Sequence, residues 1–151
     1  MDVCMKLIDA GADINANNNY GSTPLIWACE KGLVDVCMKL IDAGADINVK
    51  NNYGSTPLIC ACERGHVDVC MKLIDAGADT NAKDKYGSTP LIRACDKGLA
   101  DVCMKLIDAG ADINVKNKYG STPLIRACDK GLADVCMKLI DAGADINAKN
   151  N

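Results

Sequence analysis

The segment Tyr86-Gly-Ser-Thr-Pro-Leu-Ile92 decides the fold, because the same seven residues occur four times in the chain. The copies begin at Tyr20, Tyr53, Tyr86 and Tyr119, so each start lies 33 residues after the previous one. Self-similarity at a fixed period of this size is the sequence signature of a repeat architecture. We therefore expect a row of similar units rather than one core wrapped by the whole chain.

A second segment recurs in the same register. Asp-Val-Cys-Met-Lys-Leu-Ile-Asp-Ala-Gly-Ala-Asp begins at Asp2, Asp35, Asp68, Asp101 and Asp134. Residues 86–116 and 119–149 differ at one place only, where the first has Val115 and the second Ala148. Such close identity arises by recent duplication or by design, and the sequence does not separate the two.

Each unit carries the signals of two short helices. Thr23 is a good N-cap, and Pro24 suits the first helical position, where no backbone N–H is needed. The first helix is expected over about residues 24–31, before Gly32, and the second over about 34–43. The second helix has apolar residues on one face, at Val36, Cys37, Leu40 and Ile41.

A tight turn precedes each first helix. Asx at the first position and Gly at the fourth are typical of a type I turn. The pattern occurs at Asn18 to Gly21, Asn51 to Gly54, Asp84 to Gly87 and Asn117 to Gly120. We call each of these turns, with its flanking residues, a finger.

The succession of a turn, Gly-Ser-Thr-Pro-Leu, a short helix, Gly, a second helix and Gly-Ala-Asp-Ile-Asn resembles the ankyrin repeat. The resemblance implies an all-α solenoid of helix–turn–helix repeats with β-turn fingers. It divides a single domain, residues 1–151, into a partial repeat and four full ones, with 150–151 starting a further finger. The units are a partial repeat at 1–17, repeat 1 at 18–50, repeat 2 at 51–83, repeat 3 at 84–116 and repeat 4 at 117–149.

One departure from the family pattern is consistent. Isoleucine follows Thr-Pro-Leu in each repeat, where ankyrin repeats normally have a histidine that hydrogen-bonds near the loop. The four residues are Ile26, Ile59, Ile92 and Ile125.

Bulk composition excludes several classes of function. The net charge of −3 argues against nucleic acid as a partner. The longest apolar runs are six residues, far short of the roughly 18 that a membrane helix needs. Because the first residues also lack a secretory signal, we expect a cytoplasmic or nuclear protein.

The cysteines and the single histidine give no chemical site. Nine of the ten cysteines occupy two repeat positions on the packing faces of the helices, where a thiol acts as a small hydrophobe. Cys60, Cys62 and His66 resemble a metal cluster, but residues two apart on a helix point in nearly opposite directions. No acid, base or nucleophile stands outside the repeat frame. We therefore expect no enzyme, no metal and no cofactor.

The positions that differ between repeats are free of the demands of stacking. One is in the middle of the first helix, with Trp27, Cys60, Arg93 and Arg126. The other is the finger, which is amide-rich in the first two repeats and basic later. By the ankyrin resemblance, both lie on the concave face that the family uses for binding. The candidate partner-binding residues are Tyr20, Trp27, Tyr53, Lys83, Lys85, Tyr86, Arg93, Lys116, Lys118, Tyr119 and Arg126.

The sequence thus predicts a non-enzymatic scaffold that binds another protein, with basic fingers suited to an acidic segment. The alternative is a synthetic or consensus-type repeat protein that has no natural partner. Tyrosines that only brace the fingers would be a structural explanation of the same pattern. If Trp27 and Arg93 act in recognition, replacing either by Ala is expected to leave melting nearly unchanged and to weaken binding.

The terminal units have full apolar faces rather than polar caps. The first helix of the chain carries Leu7 and Ile8, and the last repeat keeps Leu139 and Ile140. Solenoids normally end in capping repeats with a polar outer side. The pattern therefore predicts either a longer array or end-to-end stacking with a second copy.

Overall fold

The computed structural model describes residues 3–149, apart from the side chain of Cys4. Within these residues the chain is helical, with nine α-helices and no strand. They are α1 (Val3–Asp9), α2 (Pro24–Glu30), α3 (Val34–Asp42), α4 (Pro57–Arg64), α5 (Val67–Asp75), α6 (Pro90–Asp96), α7 (Ala100–Asp108), α8 (Pro123–Asp129) and α9 (Ala133–Asp141). The residues expected to start a further finger, 150–151, lie outside the described part. No described helix has the length and apolar character needed to cross a membrane.

The first helix of each repeat begins as the sequence predicts. Thr89 precedes α6 in an extended conformation, and its side-chain oxygen accepts a hydrogen bond from the backbone N–H of Ile92 at 3.3 Å. Pro90 then occupies the first turn, where a missing N–H costs nothing. The same cap occurs at Thr23, Thr56 and Thr122.

The helices form two parallel rows. Within a repeat the first and second helices pack against each other, as α4 packs against α5. Between repeats, α2, α4, α6 and α8 pack in succession, and α1, α3, α5, α7 and α9 form the second row. This arrangement confirms the helix–turn–helix solenoid.

The core is one cluster that runs through all four repeats. Each layer contributes the leucine of Thr-Pro-Leu and the leucine of the second helix, and those in the middle are completely buried, as Leu58, Leu73, Leu91 and Leu106 show. Full burial of such a side chain contributes about 1.5–3 kcal/mol. Because each layer is thin, most of this burial depends on the neighbouring repeat.

Polar contacts hold the repeats in register on the side away from the core. The Asn48 side-chain oxygen accepts a hydrogen bond from the backbone N–H of Asp79, 31 residues later, at 2.8 Å. Equivalent bonds are accepted by the side-chain oxygens of Asn15, Asn81 and Asn114. The fingers are joined as well, since the Lys85 N–H donates to the Tyr53 carbonyl at 2.9 Å. The recurrent Asn and finger residues therefore have structural roles.

Candidate partner-binding face

The fingers and the first helices α2, α4, α6 and α8 provide the surface on which the candidate residues lie, and we call it the finger face. Each finger turn closes with a backbone bond, as from Gly54 N–H to the Asn51 carbonyl at 2.9 Å. The Asn51 side-chain oxygen accepts from the N–H groups of Tyr53 and Ser55. These bonds fix the backbone position from which each tyrosine side chain extends.

The finger tyrosines are exposed rather than packed in the core. Tyr20 and Tyr119 are each 60% exposed, and Tyr53 and Tyr86 are 46% and 38% exposed. Tyr86 and Tyr119 stack on each other, with ring centroids 6.0 Å apart and planes inclined by 28°. The tyrosines therefore contact one another and still present ring surface to solvent.

Lys85 lies among these rings. Its ammonium nitrogen is 4.4 Å from the centroid of the Tyr53 ring and 4.9 Å from that of Tyr86, which is the geometry of a cation–π contact. Lys83, Lys116 and Lys118 are exposed at the fingers, and no carboxylate within residues 3–149 forms an ion pair with them. The basic charge of these fingers is open to a partner.

Arg93 is held by two carboxylates. Its Nε and Nη2 donate to Oδ2 of Asp84 at 3.0 and 2.6 Å, and its Nε lies 3.2 Å from Oε1 of Glu63. Desolvation alone would lower the pKa of Arg93, but Asp84, Glu63 and Asp96 together raise it. Burial raises the pKa of the Glu63 carboxyl despite the opposing effect of Arg93.

These contacts change an expectation from the sequence. Asp84 is buried, so Arg93→Ala would leave its carboxylate without its main partner and would destabilise the fold. Melting is therefore not expected to stay unchanged in that variant.

Arg126 occupies the same repeat position with a different partner. Asn117 stands where repeat 3 has Asp84, and Nη1 of Arg126 pairs with Asp96 at 3.2 Å and more distantly with Asp129 at 3.8 Å. Its Nε is buried and has no hydrogen-bond partner among the described residues. One substitution in the finger thus leaves a buried donor unsatisfied.

Trp27 lies apart from the arginines, next to a groove of about 330 Å³ at the N-terminal side. The indole is 45% exposed, and Lys31 lies 5.8 Å from its ring centroid. The lining is almost entirely apolar and includes Leu7, Ile8, Pro24, Leu33, Val36 and Leu40. Trp27 therefore forms the exposed edge of an apolar groove.

Cys60 occupies the position in repeat 2 that holds Trp27, Arg93 and Arg126 in the other repeats. It is buried beside a cavity of about 250 Å³. Burial, assisted by Glu30 and Glu63, raises the pKa of its thiol to about 12. The sequence singles out this position as variable, but spacing along the chain does not reveal the cavity.

Eight of the other described cysteines form four pairs that sequence reasoning missed. Within each repeat, the first-helix thiol contacts the second-helix thiol, and the sulfur atoms are 3.3–3.6 Å apart. Three pairs are buried, and the fourth, Cys128 with Cys136, is partly open to solvent. The repeat positions of the cysteines do not reveal these contacts, because they depend on how the two helices of one repeat pack together.

His66 has a structural partner. One ring nitrogen lies 3.0 Å from the carbonyl oxygen of Glu30 in the preceding repeat. Among the described residues, no group of three or more His, Cys, Asp or Glu side chains is placed to hold a metal ion.

Comparison with known proteins agrees with this architecture. A family model described as ankyrin repeats (3 copies) matches residues 1–84 and again residues 71–150. No curated protein sequence matches the chain. Ankyrin repeats are generally protein-interaction modules and are typically not enzymes. The family match, the two rows of paired helices and the linked fingers show that this chain belongs to the ankyrin-repeat family.

Proposed function

We propose that the chain is a non-enzymatic scaffold that binds a segment of another protein across the finger face. The observation that carries this proposal is the set of exposed aromatic rings, the finger tyrosines Tyr20, Tyr53, Tyr86 and Tyr119 and, at the edge of the apolar groove, Trp27, on a fold whose core contains none. Tyr and Trp are the residue types that most often dominate the energy of protein interfaces. Exposed rings held on hydrogen-bonded turns also lose little conformational freedom on binding.

The finger lysines support a more specific partner. Lys83, Lys116 and Lys118 are exposed and lack described carboxylate partners, whereas Arg93 and Arg126 are already paired within the chain. An acidic segment lying over the fingers of repeats 3 and 4 would complement these lysines. Such charges mainly increase the association rate and the salt dependence of binding. In this proposal the arginines hold the finger face in place through their ion pairs within the chain. The lysines and the aromatic rings contact the partner.

The test compares the binding of a captured partner to the unaltered chain with its binding to two finger-face variants. Trp27→Ala is expected to weaken binding by about 2 kcal/mol, or roughly 30-fold, because it removes an exposed aromatic anchor. Replacing Lys116 and Lys118 by Glu is expected to reduce the association rate, most strongly at low salt. Titration calorimetry and stopped-flow kinetics measure the two effects, and circular dichroism checks that melting is unchanged.

The matched control is Lys72→Ala, which removes an exposed lysine from the second helix α5 rather than from the finger face. It is expected to bind like the unaltered chain. Equal losses in the control and in the finger-face variants would contradict the proposal. Binding that is indifferent to Trp27 and to the finger lysines would also contradict it, and failure to capture any partner would favour the alternative, a synthetic or consensus-type repeat protein with no natural partner.

A further inference from the structure

Arginine in the middle of the first helix forms an ion pair with the preceding repeat. Arg93 pairs with Glu63 at 3.2 Å, and Arg126 pairs with Asp96 at 3.2 Å. In both cases the carboxylate belongs to the preceding repeat, at the position three residues beyond that repeat's own variable residue. The fold therefore places a guanidinium against this carboxylate wherever the position is arginine.

In repeat 2 the arginine is missing. Its position is Cys60, and the carboxylate of the preceding repeat is Glu30. Among residues 3–149, no lysine, arginine or histidine forms an ion pair with Glu30. The other two carboxylates nearby, Glu63 and Asp84, are already bonded to Arg93.

The space that an arginine side chain would fill is open. A cavity of about 250 Å³ lies in front of Cys60, lined among others by Glu30, Asn51, Tyr53, Ser55 and Glu63. Arg64 is the one basic residue of the lining, and it is exposed. Because Arg93 already pairs with Glu63 and Asp84, Glu30 is the carboxylate of this lining that has no ion pair among the described residues, and it is the group that a positive side chain in the cavity would meet.

The lining also offers an aromatic ring in the corresponding place. In repeat 3, the guanidinium carbon of Arg93 lies 5.9 Å from the ring centroid of Tyr86. Tyr53 is the equivalent tyrosine of repeat 2 and lines the cavity. Its ring already has Lys85 at 4.4 Å, so an entering guanidinium takes the free side of the ring or replaces the ammonium. Planar guanidinium groups stack on rings and bond carboxylates at two points, which a lysine ammonium does not do.

We propose that this cavity binds an arginine side chain of the partner, whose guanidinium pairs with Glu30. The inference rests on the proposed function, since the cavity opens on the same face. It adds a position to the partner's charge pattern: an arginine over repeat 2, followed by acidic residues over the fingers of repeats 3 and 4.

The experiment uses N-acetyl-arginine amide as the probe and NMR chemical shifts of the full chain as the readout. Saturable shifts are expected at the backbone amide of Cys60 in the unaltered chain, with a dissociation constant in the millimolar range. The neutral isostere N-acetyl-citrulline amide is expected to produce none. Cys60 lies in a segment whose sequence occurs once in the chain, so its signal is distinct.

Three variants decide the outcome. Cys60→Arg fills the cavity with the chain's own guanidinium and is expected to abolish the shifts, while Cys60→Ala keeps the cavity open and preserves them. Glu30→Gln is expected to lower the affinity for the probe about tenfold, because it removes the negative charge that pairs with the guanidinium. Shifts of equal size with citrulline, or an unchanged dissociation constant in Glu30→Gln, would overturn the inference. If Cys60→Arg does not fold, Cys60→Ala and Glu30→Gln still decide.

This result is separable from the proposed function. A probe that binds as expected, with no partner depending on Trp27 or the finger lysines, would contradict the proposed function and leave the arginine site standing. A partner that depends on Trp27 but is unaffected by Glu30→Gln, together with no saturable probe binding, would overturn the arginine site alone.

Discussion

A single residue in the finger decides whether the arginine on the neighbouring helix is fully satisfied. Asp84 accepts from both Nε and Nη2 of Arg93, whereas Asn117 leaves Nε of Arg126 without a described partner. Asn117 instead donates from its Nδ2 to Oγ of Ser88 at 3.1 Å. The two repeats are nearly identical in sequence, so this difference can be tested with one substitution.

Asn117→Asp is expected to stabilise the chain. The new carboxylate would accept from Nε of Arg126 as Asp84 does from Arg93, which contributes about 1 kcal/mol to the free energy of unfolding. Urea denaturation at neutral pH measures the change. Asn51→Asp is the matched control, because Cys60 stands at the arginine position of its repeat and no gain is expected. A gain of the same size in both variants would show that Arg126 is not involved.

Thiol reactivity is also decided residue by residue. The hydrogen bond with Cys37, followed by burial, raises the pKa of Cys29, and burial raises that of Cys60 to about 12. Because the thiolate is the reactive form, both are expected to be slow towards iodoacetamide at pH 8. Cys128 is exposed, while Cys95, at the same repeat position, is buried.

Variants of these two cysteines test that difference directly. Cys128→Ser is expected to remove one fast-reacting thiol from the alkylation time course, followed by intact mass. Cys95→Ser is expected to leave the fast phase unchanged. Comparing variants is necessary because repeats 3 and 4 yield the same peptides around these positions. Loss of a fast phase in Cys95→Ser would mean that the third repeat opens readily.

At the scale of the helices, the glycine after each first helix adopts a left-handed backbone conformation, and Gly32 in addition leaves room for the His66 ring. Gly32 and Gly98 have the same left-handed backbone, with φ of 70° and 72°. A Cβ atom added at Gly32 would lie 2.6 Å from Nδ1 of His66, whereas one added at Gly98 meets nothing within 4 Å. Backbone strain and side-chain clash can therefore be measured independently.

Gly98→Ala is expected to lower the free energy of unfolding by about 1 kcal/mol, from backbone strain alone. Gly32→Ala is expected to lower it by about 1–3 kcal/mol more than Gly98→Ala does, because the His66 ring must move. In a His66→Leu background, which restores the leucine of the other repeats, the extra cost is expected to disappear. Chemical denaturation of the four variants measures these differences. Equal costs at both glycines in the unaltered background would contradict the predicted clash.

At the scale of the whole molecule, burial is graded from the ends to the middle. Val3 is 70% exposed and Ile140 is 44% exposed, although the residues at the same positions of repeat 2, Val69 and Ile74, are buried. Each repeat is stabilised by its neighbours, and the terminal ones have one neighbour within the chain.

Hydrogen exchange is expected to follow this gradient. Amides of α4 to α7 should exchange most slowly, and those of α1 and α9 most rapidly, because local opening is easiest where little apolar surface is covered. Exchange followed by NMR or mass spectrometry measures the order. Leu73→Ala, which creates a cavity in a central layer, is expected to speed exchange in both neighbouring repeats. Uniform exchange along all nine described helices would show one cooperative unit instead of a stack.

Much of the fold was predictable because its signals are local and repeated. The Thr-Pro start, the Gly end and the apolar face of each second helix occur in every repeat, and the observed helices end within one residue of the expected bounds. The location of the candidate residues on the finger face follows from the same register, and their role in binding stays a prediction. The interhelix thiol pairs and the cavity at Cys60 were not predictable, because they depend on distances between elements.

By itself, the sequence determined the 33-residue period, the pairing of two helices per repeat and the family, because capping, turn and apolar patterns act over a few residues. Only the tertiary structure decided which charges are free. Arg93 and Arg126 look equivalent in the chain, and both pair with a carboxylate of the preceding repeat, yet only Arg93 is also bound by a carboxylate of its own finger. The physical reason is that an ion pair depends on how packing places two side chains in space, and Glu30, which has a cysteine at the arginine position of the next repeat, has no ion pair among the described residues.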